Sequence, residues 1–118
     1  MAGTSPSAKA FTQQFRDLVA RVLSAASGRV VRTTDPYRVN GGTHVLGLPN
    51  WTLIIRNHNA VNVPKLIDEA KEAAEGEGSE NYAVVMHRKG SENVGASYVL
   101  LDLAVFSNLI RDRAQHEQ

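Results

Sequence analysis

Apolar positions along the 118-residue chain change period several times, and each change marks an element. From Lys9 to Ala26, Phe11, Phe15, Leu18, Val19 and Val22 recur at i, i+4, i+7, i+8 and i+11, the stripe of an amphipathic helix. Gly28 is placed to end it. The β-branched run Val30, Val31, Thr33 and Thr34 predicts a first strand within Gly28 to Thr34, followed by a turn-rich loop from Asp35 to Gly42. Thr43 to Leu48 and Trp51 to Asn57 are two further β-rich runs separated by Pro49-Asn50, and the spacing predicts that they form a hairpin.

After the polar loop His58 to Asn62, Pro64 suits the first turn of a helix. Leu66, Ile67, Ala70, Ala73 and Ala74 recur there at helical spacing, with acidic residues opposite. Gly76 and Gly78 end that helix within Glu75 to Glu80, and Tyr82 to His87 is a compact apolar strand running into the turn at Arg88-Lys89-Gly90. Ser97 to Leu101 predicts a last strand. Asp102 is placed to cap a helix with the apolar face Val105, Phe106, Leu109 and Ile110, whose C-terminal dipole Arg111 and Arg113 complement. The predicted order is helix, three strands, helix, two strands, helix, an α/β chain with a mixed central sheet flanked by helices. The expected organisation is a flexible N-terminal arm over residues 1–8, one domain over 9–113 and a C-terminal tail over 114–118.

Composition adds exclusions. A chain that is 42% hydrophobic and 21% charged is neither collagen-like, nor wholly disordered, nor a coiled coil. No apolar run approaches the roughly 20 residues of a membrane helix. Met1 to Ala10 lacks the long apolar stretch of a signal peptide, so the protein is expected to stay where it is made. With no cysteine, the chain has neither disulfides, nor thiolate metal sites, nor a cysteine nucleophile. The formal charge of +1 hides an asymmetry: residues 1–60 carry seven Lys/Arg against two Asp, and residues 61–118 carry six against ten Asp/Glu. A basic half facing nucleic acid or an acidic partner competes with arginines scattered over solvated faces.

The candidate chemistry lies in the middle of the chain. Gly42-Thr43-His44-Val45-Leu46-Gly47-Leu48-Pro49, then Trp51-Thr52-Leu53-Ile54-Ile55-Arg56-Asn57, then Pro64-Lys65-Leu66-Ile67-Asp68-Glu69-Ala70 and the strand Val84-Val85-Met86-His87-Arg88 follow one another in the predicted order. Over residues 11 to 110 the chain resembles the PD-(D/E)XK nuclease superfamily, most closely its small phage Holliday-junction-resolvase-like members. The resemblance implies a restriction-endonuclease-like fold. It also implies a site in which an Asp on one strand and Glu-x-Lys on the next hold Mg²⁺ by oxygen ligands and activate water. The two outer residues of Glu-x-Lys share one strand face because side chains alternate.

Here the Asp position holds His44, the Glu position Ile54 and the Lys position Arg56. Ile54 offers no ligand atom, and Thr52 and Arg56 on its face supply no carboxylate. A slip of one residue in the alignment would flip every side chain to the other face. Asp68 and Glu69 on the following helix and Asp17 on the first are the candidates for a migrated ligand, but Leu66, Ile67 and Ala70 claim the buried stripe, which places Asp68 and Glu69 at its edge or in solvent. His44 is read as structural, because no second ligand accompanies it, and His58 and His87 stand at strand ends. No metal site is expected.

Arg56, Asn57, Lys65, Arg88 and Lys89 cluster around the strand-to-helix loop and the neighbouring sheet edge, where a nuclease relative would touch phosphates. A solvated rim is the competing reading, and Trp51 is read as core rather than as a base-stacking residue. The expectation is a catalytically inactive nuclease-fold protein acting through its surface, as a phage structural (virion, minor-capsid-type) or interaction protein in the host cytoplasm or virion. It needs no cofactor, and its partners are proteins, a capsid among them, or other copies of itself. The alternatives are a Mg²⁺-dependent nuclease or Holliday-junction resolvase, and a non-cleaving binder of branched DNA.

Overall fold

The structure, a computed structural model, describes residues 4–34, 42–56 and 62–116, with side chains of the first helix from residue 12 onward. Its elements follow the predicted order. Helix α1 spans Thr4–Ser27, strands β1, β2 and β3 span Arg32–Thr33, Val45–Leu46 and Trp51–Arg56, and helix α2 spans Val63–Glu77. Strand β4 (Asn81–Met86), a 3-10 turn (Val94–Ala96), strand β5 (Tyr98–Leu100) and helix α3 (Leu103–His116) complete it. The described chain is α/β, with three α-helices and two sheets.

Both ends of the predicted domain are helical further out than expected. Helix α1 begins at Thr4, so residues 4–8, read as an arm, continue the helix; Pro6 falls in its first turn, where its missing N–H breaks no intrahelical bond. At the other end α3 runs to His116, so residues 114–116 of the expected tail are helical. Gly28 ends α1 as predicted, with φ of +71° and its N–H on Ser24 O at 2.9 Å. Ser24 Oγ then accepts the N–H of Val31 at 2.9 Å and ties the approach to β1 back onto the helix.

The predicted hairpin of 43–48 with 51–57 does not form. β2 pairs antiparallel with β1 (Thr33↔Val45), whereas β3 lies in a separate sheet, parallel to β4 through the α2 crossover, with β5 antiparallel on the far side of β4. Two backbone features take the chain out of β2. Gly47 has φ of +104° and passes so close to the first strand's approach that a Cβ there would lie 2.2 Å from Val30 O, and Asn50 also has positive φ, at 63°. In addition, Leu53 to Ile55 and all six residues of β4 are buried on both faces, the character of parallel strands covered by helices on either side.

Those faces build two clusters. Leu53, Ile55, Ala83 and Val85 pack against Phe15, Val19 and Ala20 of α1 and Val31 and Val45 of the small sheet. On the other face Ile54, Tyr82, Val84 and Met86 pack against Ala70 and Ala74 of α2 and Val105 of α3. Each fully buried aliphatic side chain contributes roughly 1.5–3 kcal/mol.

Helix α2 is held by its ends. Asn62 caps it by accepting Lys65 N–H at 3.1 Å, and Gly78, left-handed at φ 73°, closes it. The predicted stripes are only partly buried. In α1, Phe15 and Val19 turn inward while Leu18 and Val22 are exposed, and in α3 Val105 is buried while Phe106 and Ile110 face solvent. The side chain of Phe11 and the loop residues 35–41 lie outside the described residues.

Candidate functional site

Because β3 and β4 are parallel, their carboxyl ends and the start of α2 come together, and open α/β sheets bind ligands at such ends. Arg56 ends β3, and the chain leaves β4 at His87, whose N–H bonds Arg56 O at 3.1 Å. His44, Ile54 and Arg56, the positions at which the resemblance led us to expect a metal site, all lie on or beside β3, but they point in different directions.

Ile54 faces α2 and is 2% exposed, packed among Ala70, Ala74 and Val84. The place where a metal-binding Glu would stand is therefore sealed by hydrocarbon. Two residues on, Arg56 faces the same side, and its guanidinium pairs with the Glu69 carboxylate of α2. Asp68 is exposed, as expected, whereas Glu69 is the carboxylate that approaches the sheet, and a cation already holds it. Asp17 is turned toward Gln13 and Thr33, at 3.0 and 3.2 Å.

His44 stands on the opposite, open edge of β3. Its backbone N–H bonds Leu53 O at 2.7 Å, and its Nδ1 accepts the N–H of Ile55 at 2.8 Å. Thr43 Oγ1 accepts the N–H of Leu53 at 3.1 Å. Side-chain acceptors thus take the place of a neighbouring strand, which satisfies buried donors and blunts a strand edge. With Nδ1 occupied, the neutral ring carries its proton on Nε2 and has no free acceptor with which to bind a metal or take a proton. Burial, then the charges of Arg16 and Arg56, push its pKa down to about 4, so it is neutral at physiological pH.

Arg16, on α1, is the member of this cluster that the sequence reading missed. Its Nε is buried without a hydrogen-bond partner, burial lowers its pKa, and its charge also lowers that of Arg56 beyond the effect of burial there. The available signal was its spacing of three from Val19 and four from Ala20, on the inward side of the helix. Two guanidiniums, one carboxylate and a neutral imidazole donor leave the cluster with net positive charge. Among the described residues no three His, Asp or Glu side chains stand close enough together to hold a metal ion.

The other predicted basic residues spread out. Lys65 and Lys89 are exposed, and Arg88 turns toward β5, its guanidinium 5.9 Å from the Tyr98 ring centroid. His87 packs edge-on against Phe15 at 5.1 Å, with Nε2 3.1 Å from Ser91 O. Trp51 is half-buried and touches both clusters, a core role. Asn57 and His58 lie outside the described residues. No protein family, curated protein or solved structure matches the chain.

Proposed function

We propose that this chain is a nuclease-fold protein that has lost catalysis and acts through its surface, as a phage structural or interaction protein. The observation that carries the reading is the pair of substitutions on β3: Ile54 packed under α2 where a ligand would be needed, and Arg56 neutralising the Glu69 carboxylate nearest to it. A hard divalent cation needs several anionic or carbonyl oxygens with room around them, and a buried aliphatic side chain beside a guanidinium provides neither. The restriction-endonuclease-like fold belongs to the same proposal. It is supported by the order of elements and by the α2 crossover between parallel β3 and β4. Among the described residues no helix is long and apolar enough to cross a membrane.

A second reading, binding of branched DNA without cleavage, draws support from the positive cluster of Arg16 and Arg56 and from exposed Lys65 and Lys89 at the carboxyl end of β3 and β4. Against it, Arg56 is committed to Glu69 and Arg88 lies over Tyr98.

The test is a cleavage assay on duplex, single-stranded and four-way-junction DNA with Mg²⁺ and with Mn²⁺. No product is expected. Metal-dependent cleavage that disappears in Asp68→Ala or Glu69→Ala overturns the proposal and establishes migrated ligands. Salt-sensitive junction binding without cleavage that is lost in Arg16→Ala favours the second reading.

A further inference from the structure

Arg16 is a cation for which the described structure supplies no counter-charge. It follows Phe15 on α1, whose ring meets His87 edge-on at 5.1 Å, and His87 N–H in turn bonds Arg56 O, so this turn of α1 crosses the carboxyl end of β3 and β4. The neighbouring carboxylate, Asp17, accepts from Gln13 and Thr33 instead. Arg16 is half-buried, its Nε is sealed from solvent without a hydrogen-bond partner, and among the described residues no carboxylate pairs with its guanidinium. Buried polar groups are almost always satisfied, and a donor on a cation costs more to leave open than a neutral one.

Two further donors stand beside it. His44 accepts Ile55 N–H on Nδ1, which fixes the proton of the neutral ring on Nε2, on the far side of the ring from β3, and no acceptor among the described residues takes it. Arg56 gives one Nη to Glu69, and a guanidinium has five N–H donors, so its capacity is not exhausted. The charges of Arg16 and Arg56 both bear on His44, and that of Arg16 bears on Arg56. The three side chains are therefore neighbours, although they come from α1, from the residue before β2 and from the end of β3. Two guanidiniums against the single carboxylate of Glu69 leave one positive charge over.

We infer that this corner between α1 and the end of β3 binds a single phosphate group carried by a small molecule, with Arg16, His44 Nε2–H and the free side of the Arg56 guanidinium as its donors. The trio offers donors and no free acceptor, so its ligand is an anion. Donors arriving from three elements suit a tetrahedral oxyanion, whereas a planar carboxylate is served by one guanidinium fork. Partial burial strengthens each of these bonds relative to water. The positive charge is also local. The cations that bear on His44 are Arg16 and Arg56, not Lys65 or Lys89, and Arg88 is drawn over Tyr98 toward β5, so no continuous basic track for a nucleic-acid strand leads away from the corner. The inference does not depend on the nuclease ancestry proposed above. It shares two arginines with the DNA-binding reading and departs from it in the ligand.

The test is a titration of the full chain with sodium phosphate, against sodium chloride at matched ionic strength, followed in nitrogen–proton correlation spectra through backbone amides and arginine Nε–H signals. Phosphate alone should give saturable shifts of the Arg16 and Arg56 side-chain signals and of the amides around His44, with a common dissociation constant in the millimolar range. Arg16→Gln should weaken binding about tenfold while leaving the circular dichroism spectrum unchanged. Glu69→Gln removes the negative charge and frees the second side of Arg56, so it should tighten binding roughly threefold, a gain that misfolding cannot produce. Shifts that follow chloride and phosphate alike overturn the inference, as does binding that survives Arg16→Gln. A DNA duplex or four-way junction that moves the same signals at far lower concentration than phosphate, with a steep salt dependence, also overturns it and assigns the corner to the nucleic-acid surface of the second reading.

Discussion

Nδ1 of His44 accepts the backbone N–H of Ile55 at 2.8 Å, across the open edge of β3. That bond assigns the imidazole to the architecture, since it consumes the nitrogen that would act as base or ligand. The next residue along the strand, Arg56, holds Glu69 on the opposite side, so the end of β3 is occupied on both flanks by side chains already serving one another.

Stability should therefore depend on the charge of His44. Its folded pKa, about 4, lies below the ordinary 6.5, so its contribution is fully present above pH 6.5 and is lost as pH falls through 4. His44→Asn keeps an acceptor in the place of Nδ1 and removes the titration. Urea unfolding at pH 7 should give similar stabilities for the two proteins. Between pH 6.5 and 4 the wild type should lose on the order of 2 kcal/mol more than the variant, a shift discounted for partial solvent exposure. Parallel pH profiles would show that the imidazole stays charged in the folded state.

Ile54→Glu should destabilise the protein by about 3 kcal/mol or more at neutral pH, because it buries a carboxylate among Ala70, Ala74 and Val84. Ile54→Val should cost only about 1 kcal/mol, the loss of one buried methylene. A melting temperature unchanged by the Glu variant would mean that the β3 register brings a different side chain under α2.

Much of this was legible in the sequence. Gly28, Gly78 and Asp102 marked helix ends because capping is local chemistry, whereas Asn62, read as loop, turned out to cap α2, and the order of elements followed from period changes alone. Strand partners were not legible. Pro49-Asn50 between two β-rich runs reads as a hairpin, and what prevents one is the contact of Gly47 with Val30 and the competition of β4 for β3, both non-local. The Arg56–Glu69 pair and the charge of Arg16 beside His44 likewise depend on how α1 and α2 lie across the sheet.

Gly47→Ala should destabilise the protein by more than about 1 kcal/mol, since it combines φ of +104° with a methyl group driven into Val30 O. Gly76→Ala, in the last turn of α2 with open space around it, should instead be neutral or slightly stabilising. Thermal melts of the two variants side by side distinguish a required backbone conformation from a general intolerance of substitution.

Tyr82 and Asp102 form a second pH-sensitive link. Its hydrogen bond to Asp102, then burial, raise the Tyr82 pKa to about 12, so its contribution is complete below pH 10 and is lost as pH rises through 12. The same bond, together with the Val105 N–H, lowers the Asp102 pKa, so that contribution disappears as pH falls below the ordinary carboxylate range. Tyr82→Phe should cost about 1–2 kcal/mol at pH 7 and flatten the stability profile between pH 10 and 12. An alkaline profile identical to the wild type's would assign the loss there to other groups.

If, as we propose, a nuclease metal position has become packing and an ion pair at the end of β3, paramagnetic broadening of backbone amide signals on titration with Mn²⁺ tests it directly. The amide signals of Leu53 to Arg56 and of Asp68 to Ala70 should keep their widths at Mn²⁺ concentrations that saturate an active nuclease, and Glu69→Gln should change nothing. Selective broadening centred on Ile54, Arg56 and Glu69, abolished by Glu69→Gln, would contradict it and restore a metal centre at the end of β3.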